Sequence, residues 1–525
     1  MINTSNRIGW SSSAEGPNKI EAVDPIKQNV LPGQFAVATS EETDLAVEKA
    51  YQAWRIYRNV SGAKKAAFLR SIAEEIENLG DELVQRVMQE SGLPEGRVKG
   101  ERGRTCNQLR LFASVVEEGS WVEAIVDPAI PEREPIPRAD IRKMLRSLGP
   151  VVVFTASNFP LAFSTAGGDT ASALAAGCPV IVKAHPSHLG TNALIAEAIL
   201  KAVQKNDLPD GLFSSLQDSS YAVGTQLVKH PKVKAVAFTG SLRGGMAIYK
   251  MAQERNEPIP VFAEMGSINP VFIHSNTING NEIAVAQQIA GSVNLGAGQF
   301  CTNPGLLIVK ENDALPTFIQ SLQSAFDAQV PANMLNEGIY KNYVDKKAKS
   351  LAHKGVKLEF NKQDEGKEWK GLPTLASTTA TTFLENPNLH EEVFGPYSLL
   401  VKCKDDAEMI AVANHLEGQL SASILGSADD LEDWQLLIQA LEEKVGRLLF
   451  NGMPTGVEVG YAMQHGGPFP ASTDSRFTSV GTDAIKRFAR PVCFQNCPDA
   501  LLPDALKADN PLGILRTVNG ELVRS

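Results

Sequence analysis

The sequence has no run approaching the roughly 20 apolar residues that a membrane-crossing helix needs, which argues against a bilayer-spanning protein. Its first residues, MINTSNRIGWSSSAEG, lack a basic segment followed by an apolar core, so a secretory leader is not expected and the cytoplasm is the expected compartment. There is no CxxC pair among the six cysteines, Cys106, Cys178, Cys301, Cys403, Cys493 and Cys497. Cys493 and Cys497 are four apart without a nearby histidine, so no structural metal is expected, and dispersed thiols suit a reducing compartment. A positive surplus is missing too. The net charge of −10 offers no general attraction to nucleic acid or to an anionic membrane surface. No GxGxxG fingerprint is present, since GGDTASALAAG has the wrong spacing, and no internal repeat or low-complexity tract is visible.

What remains is a long, ordinary soluble composition. At 525 residues the chain exceeds the size at which one core keeps growing, so two or more domains are expected. Residues 1–38 read as a polar arm. From Glu41 to about Glu118 apolar residues recur three and four apart, as in LAVEKAYQAW and AAFLRSIAEEIENLG, which predicts helices punctuated at Gly80 and Gly92. DPAIPEREPIPRAD, with four prolines in fourteen positions, should be extended. Beyond it, short β-branched runs (GPVVVFTA, CPVIVKAH, VKAVAFTGS, NPVFIH) alternate with Ala-rich helical stretches, the texture of a parallel sheet covered on both faces. A second such region follows, with GLLIVK, SLLVKCK and GRLLFNG.

Four short stretches carry chemistry. In GAGQFCTNPG, Cys301 lies between a glycine-rich approach and a turn made by Asn303, Pro304 and Gly305. A small buried hydrophobe and an activated nucleophile are both open readings there. ASNFP places the Asn158 amide just after a strand, with Pro160 blocking helix. VFAEMG ends a strand on a carboxylate, Glu264, which reads either as one half of an ion pair or as a base. FTGS ends another strand at Thr239 and Gly240, with Ser241 able to cap a helix whose N–H groups could meet a pyrophosphate. Carboxamide, carboxylate and thiol together would supply an oxyanion donor, a base and a nucleophile.

ASNFP, FTGS, EMG, GQFC and EEVFGP stand in the order and approximate spacing of the aldehyde dehydrogenase superfamily, which the chain resembles over nearly its whole length. RTCNQLRLFA, FNGMPTGVEVGYAMQHGGPFPAST and RFTSVGTDAI look like the 2-oxoglutarate semialdehyde (2,5-dioxovalerate) branch. A related branch of NADP-dependent fatty-aldehyde enzymes is also similar. The resemblance implies an α/β fold of two doubly wound domains plus a small oligomerisation strand region. It divides the chain into a coenzyme domain at 1–125 and 149–263, a catalytic domain at 264–475, and oligomerisation segments at 126–148 and 476–525. A homodimer or homotetramer is implied.

The same resemblance assigns roles. Cys301 attacks the aldehyde, Asn158 and the Cys301 N–H hold the oxyanion, and Glu264 activates the water that hydrolyses the thioester. Acylating relatives that pass the thioester to coenzyme A lack a glutamate there, so hydrolysis is expected. Lys183 should bond the adenosine ribose, Gly240 and Ser241 adjoin the pyrophosphate, and Glu392 with Phe394 hold the nicotinamide ribose. Many NAD-preferring members carry a glutamate three residues after the lysine, where this chain has Pro186. NADP is therefore favoured over NAD, although Tyr221 stands where the fatty-aldehyde branch has an arginine. Phe159 and Phe163 are expected beside a small-molecule aldehyde, with Arg104, Gln108 and Arg476 at its far end. The arginines also read as surface ion pairs. His185, His188 and His465 would suit a thiol protease, but a histidine is not the base in the resembled family. A catalytically idle binding protein on the same fold is the alternative from another class.

Overall fold

The computed structural model describes residues 2–363 and 369–524. Five parallel strands form the heart of the first sheet, in the order Val261–Glu264, Ala235–Thr239, Val151–Phe154, Val180–Lys183 and Phe213–Leu216. Their runs of Val, Ile, Ala and Phe are buried on both faces, as a sheet covered by helices on two sides requires. One face packs against the helices Gly62–Asn78, Glu95–Glu118, Gly168–Ala176 and Leu189–Lys205, and the other against Ser40–Tyr57, Ala222–Lys229 and Leu242–Gln253. Residues 1–38 are more than an arm. Asn6–Ile8 and Ser11–Ser13 add two antiparallel strands beyond Phe213–Leu216, and Lys19–Asp24 pairs with Asn29–Ala36.

The second sheet also has seven strands, with Lys357–Asn361 antiparallel at one edge. Parallel to one another then come Thr374–Thr379, Tyr397–Cys403, Leu306–Lys310, Val271–Ile273, Gln419–Leu425 and Val445–Phe450. A third, five-stranded sheet joins Ala489–Gln495, Ile141–Ser147, Ile125–Asp127, Arg516–Val518 and Glu521–Val523. The proline-rich stretch before Ile141, expected to be extended, instead folds back as a loop, with a turn and a bend between Ile130 and Arg138, which form an antiparallel bridge. Residues 476–488, grouped by sequence with this small sheet, instead return to the first one. The helical turn Thr482–Phe488 packs on Gly168–Ala176, and Arg487 forms a buried ion pair with Asp169 at 2.7 Å. Among the described residues no helix is long and apolar enough to cross a membrane.

Candidate active site

The carboxyl ends of the first sheet's strands, where open parallel sheets place ligands, face the amino ends of strands in the second. Glu264 ends its strand in the first sheet and bridges to Ser472 of the GGPFPAS loop. Cys301 sits in the turn before Leu306–Lys310 of the second. The glycines of GAGQFC are needed there. Gly296, Ala297 and Gly298 take φ of 58°, 56° and 66°, and a Cβ on Gly298 would fall 2.2 Å from the carbonyl carbon of Gly395. The far side of the turn is held by Asn269, whose buried amide donates to the Cys301 and Asn303 carbonyls at 2.9 and 3.0 Å. Its oxygen accepts from Ser267 and Ser421. With a further bond to the Ser267 carbonyl, this buried amide fixes the Cys301 backbone through five hydrogen bonds, and a buried group left unbonded would cost about 1–3 kcal/mol.

Around the half-buried thiol stand three polar groups. The Asn158 amide donates to the Gln299 carbonyl at 3.0 Å, placing it against the Cys301 turn. Glu264 and His465 are both buried, and Cys301 Sγ, His465 Nε2 and a Glu264 oxygen lie within 4.8 Å of one another. His465 Nε2 is 3.5 Å from Cys301 Sγ and 3.1 Å from Glu264 Oε1, while Ser479 Oγ donates to Glu264 Oε2 at 2.6 Å. Burial works to raise the Glu264 pKa, but His465, Ser479 and Cys301 hold it below the ordinary carboxylate value. Nε2 faces an ionised oxygen that can only accept, so it carries the proton and acts as a donor to Glu264. Burial first, and then the Glu264 and Glu392 charges, push the Cys301 thiol well up, with Arg104 acting the other way. The resting nucleophile is therefore a protected thiol.

A cluster of aromatic rings stands beside this group. Phe159 makes edge contacts with Phe163 and Phe300 at 5.3 and 5.2 Å, and Phe163 lies 6.2 Å from the His465 ring. Arg97 covers Phe159 and Arg104 covers Phe163. The ASNFP loop is anchored by buried Glu101, which accepts from the Leu161 and Ala162 N–H groups at 2.9 Å and pairs with Arg97 at 2.7 Å. Gln108 is 1% exposed, and both of its amide atoms are buried without a hydrogen-bond partner among the described residues. Arg104 Nη1, one helical turn away, is in the same state. Arg476 behaves otherwise. Its side chain is 79% exposed and is paired with Asp474 at 2.6 Å, so it stands at the surface and not with Arg104 and Gln108.

The dinucleotide pieces gather at the carboxyl ends of the first sheet. Ser241 caps Leu242–Gln253 by accepting from the Gly244 N–H, with Gly240 and Ser241 exposed and the first-turn N–H groups available to an anion. Lys183 Nζ reaches the Asp218 carbonyl at 2.7 Å. Asp218 spends its own carboxylate on Ser220 and Val223. Glu392 is near enough to Gly266 that a Cβ there would lie 2.8 Å from Oε2, and it lines a cleft with Phe394, Ser267 and Asn303. An exposed helix N-terminus, a strand-end lysine and a buried carboxyl fit a dinucleotide. Tyr221 stands 87% exposed at the start of Ala222–Lys229.

Sequence reasoning missed Asn269, Ser479 and the place of His465. His465 is 164 residues from Cys301 and 201 from Glu264, and no local pattern signals the approach. Its neighbours in MQHGG offered only a turn.

Residues 10–488 match the model of the Aldehyde dehydrogenase family. The chain is 46% identical over 518 residues, 98% of each chain, to alpha-ketoglutaric semialdehyde dehydrogenase of Acinetobacter baylyi. It is 47% identical over 515 residues, again 98% of each, to alpha-ketoglutaric semialdehyde dehydrogenase 2 of Azospirillum brasilense. A solved structure of 1-pyrroline-5-carboxylate dehydrogenase from Thermus with bound NAD aligns with a TM-score of 0.78 and 20% identity, over 94% of this chain and 92% of that one, and shares the fold.

Proposed function

The chain belongs to the aldehyde dehydrogenase family, and from that premise we propose that it oxidises 2-oxoglutarate semialdehyde to 2-oxoglutarate with NAD(P) as electron acceptor. The observation that carries the substrate is the pair of near-full-length relatives whose names specify alpha-ketoglutaric semialdehyde, the same compound. Arg104 Nη1 and the Gln108 amide, buried without a partner among the described residues, give that compound's distant carboxylate donors to bind, while Arg104 Nε and Nη2 are held by the Val457 carbonyl.

The steps follow from the side chains. Cys301 gives its proton up to solvent, a change that the Arg104 charge favours, and its sulfur bonds to the aldehyde carbon. The resulting thiohemiacetal oxyanion meets the Asn158 amide and the Cys301 N–H, one such donor being worth about 3 to 4 kcal/mol. Bound NAD(P) supplies the acceptor for the hydride that leaves this carbon. Collapse of the oxyanion leaves a thioester on Cys301. Glu264, ionised and fixed by Ser479 and His465, takes a proton from water as the water attacks that thioester. Carboxylate and free thiol result.

Arg104→Ala is expected to raise KM for the semialdehyde roughly 10- to 100-fold, the worth of a hydrogen bond to a charged group. For an uncharged aldehyde of equal length KM should stay within about 2-fold, and any kcat change should be shared by both. Steady-state kinetics on the two aldehydes checks this, and equal KM effects would contradict the carboxylate assignment.

Lys183, Gly240, Ser241, Glu392 and Phe394 are proposed to hold the coenzyme, and Pro186, which offers no carboxylate to repel a 2′-phosphate, supports NADP over NAD. Burial pushes Glu392 up to about 7 against the pull of Lys346 and the Ser267 N–H. As a carboxylate it is the stronger acceptor for ribose hydroxyls, a state present above pH 7 and lost as pH falls through it. The coenzyme dissociation constant is therefore expected to rise between pH 8 and pH 6, and to stay flat in Glu392→Gln. Fluorescence titration at several pH values reads both. The five-stranded sheet, with exposed Leu501, Leu512 and Leu522 nearby, supports self-association into a dimer or tetramer.

A further inference from the structure

We propose that Cys301, His465 and Glu264 also form a reversible binding site for a zinc-class divalent ion, and that its occupation switches the enzyme off. Thiolate, imidazole and carboxylate are the ligand types such an ion takes, and all three ligand atoms lie within 4.8 Å of one another. Zinc bonds of about 2.3 Å to sulfur and 2.0–2.2 Å to nitrogen and oxygen, at tetrahedral angles, put sulfur and nitrogen about 3.6 Å apart and nitrogen and oxygen about 3.4 Å apart. The observed sulfur–nitrogen and nitrogen–oxygen separations are 3.5 and 3.1 Å, within a few tenths of an ångström of those values, and the sulfur–oxygen separation, within 4.8 Å, closes by a side-chain rotation of about 1 Å or less. Thiolate and carboxylate together carry two negative charges against the ion's two positive ones. Glu264 and His465 are buried, so the fourth position opens only past the partly exposed Cys301, the route that the aldehyde uses.

The exchange balances without a redox step. The S–H bond of Cys301 breaks, an S–metal bond forms, and the thiol proton goes to solvent. The imidazole proton moves from Nε2 to Nδ1 so that the Nε2 lone pair can bind the ion. Nδ1 is buried with no partner among the described residues. A metal-bound imidazole normally donates that N–H, and lacking the outer partner weakens binding by about 10- to 100-fold. That shortfall separates this site from a resident structural centre and makes it reversible. Occupation removes the nucleophile and the hydrolytic base together. The exposed or half-exposed Cys493 and Cys497 are the competing thiols, and nothing in the described residues places a histidine or carboxylate ligand group with them.

The test uses full-length enzyme stripped by a chelator and titrated with Zn²⁺ alone, followed by calorimetry and by loss of aldehyde oxidation. One ion per chain is expected, with inhibition tracking occupancy and reversed by chelator. Co²⁺ in its place should give a thiolate-to-cobalt charge-transfer band. Cys301→Ser should weaken binding at least about 100-fold, because losing a ligand costs more than losing an outer partner. The double variant Cys493→Ser/Cys497→Ser should bind and oxidise aldehyde as the parent does. Alkylating Cys301 in that double variant should abolish binding without relying on the fold of a Cys301 substitution. No saturable binding, binding lost in the double variant, or binding that survives alkylation of Cys301 would each overturn the proposal.

Discussion

Cys301→Ala is expected to lower aldehyde oxidation by on the order of 10⁴-fold or more, with coenzyme affinity within about 2-fold of the parent. The expectation rests on the separation of duties in the fold. The thiol stands in a turn of the second sheet, fixed by Asn269, while Lys183, Gly240 and Ser241 belong to the strand ends of the first. Losing one sulfur from a half-buried position leaves the Asn269 hydrogen bonds in place, since these engage backbone carbonyls. Turnover measured by coenzyme reduction, beside coenzyme binding measured by fluorescence, separates the two duties. Near-normal turnover would contradict a covalent mechanism. Loss of coenzyme binding in step with turnover would mean that the turn also shapes the dinucleotide site.

Glu264→Gln carries the second large effect. The amide keeps the shape, its oxygen still accepting from His465 while its NH2 donates to the Ser479 hydroxyl, but it cannot take a proton from water. A burst of about one reduced coenzyme per active site is expected, followed by a steady rate lowered roughly 10²- to 10⁴-fold, the usual worth of a general base. The burst survives because the lost charge is one of the influences, after burial, that disfavour the thiolate. Stopped-flow measurement resolves the two phases. A burst suppressed as strongly as the steady rate would show that Glu264 is also required to form the thiolate, and would overturn the assignment to hydrolysis alone.

Much of this was legible in the sequence wherever a single segment carried the signal. Val151–Phe154, Val180–Lys183 and Leu306–Lys310 are β-branched and buried on both faces, so their runs announced parallel strands. The glycines before Cys301 announced a close approach of neighbouring groups, and a Cβ on Gly298 would indeed meet the Gly395 carbonyl; the left-handed backbone of residues 296–298 was not foreseen. Gln419–Leu425 and Thr374–Thr379 were harder to see. QLSASIL and TLASTT are buried yet rich in hydroxyls, which spoils the hydrophobic run without disturbing the ladder. Ser421, for example, spends its hydroxyl on Asn269. The closing of the site was not legible at all, because His465 and Ser479 reach Glu264 from more than 200 residues away in sequence. Arg476 lies at the surface for the opposite reason. It stands in a loop that leads to the site, but Asp474, two residues earlier, captures it.

The most direct test of the account compares kcat/KM for 2-oxoglutarate semialdehyde with that for uncharged aldehydes of equal and greater length, using NADP and NAD in turn. The buried Arg104 charge and its free Nη1 should favour the semialdehyde's carboxylate by roughly 10- to 100-fold over the uncharged analogue with either coenzyme. Longer apolar chains should bring no gain of the size expected from a fully apolar wall, about 0.8 kcal/mol per CH₂. A long-chain aldehyde preferred outright, or no discrimination between the charged and uncharged substrates, would contradict the account and favour a fatty-aldehyde enzyme.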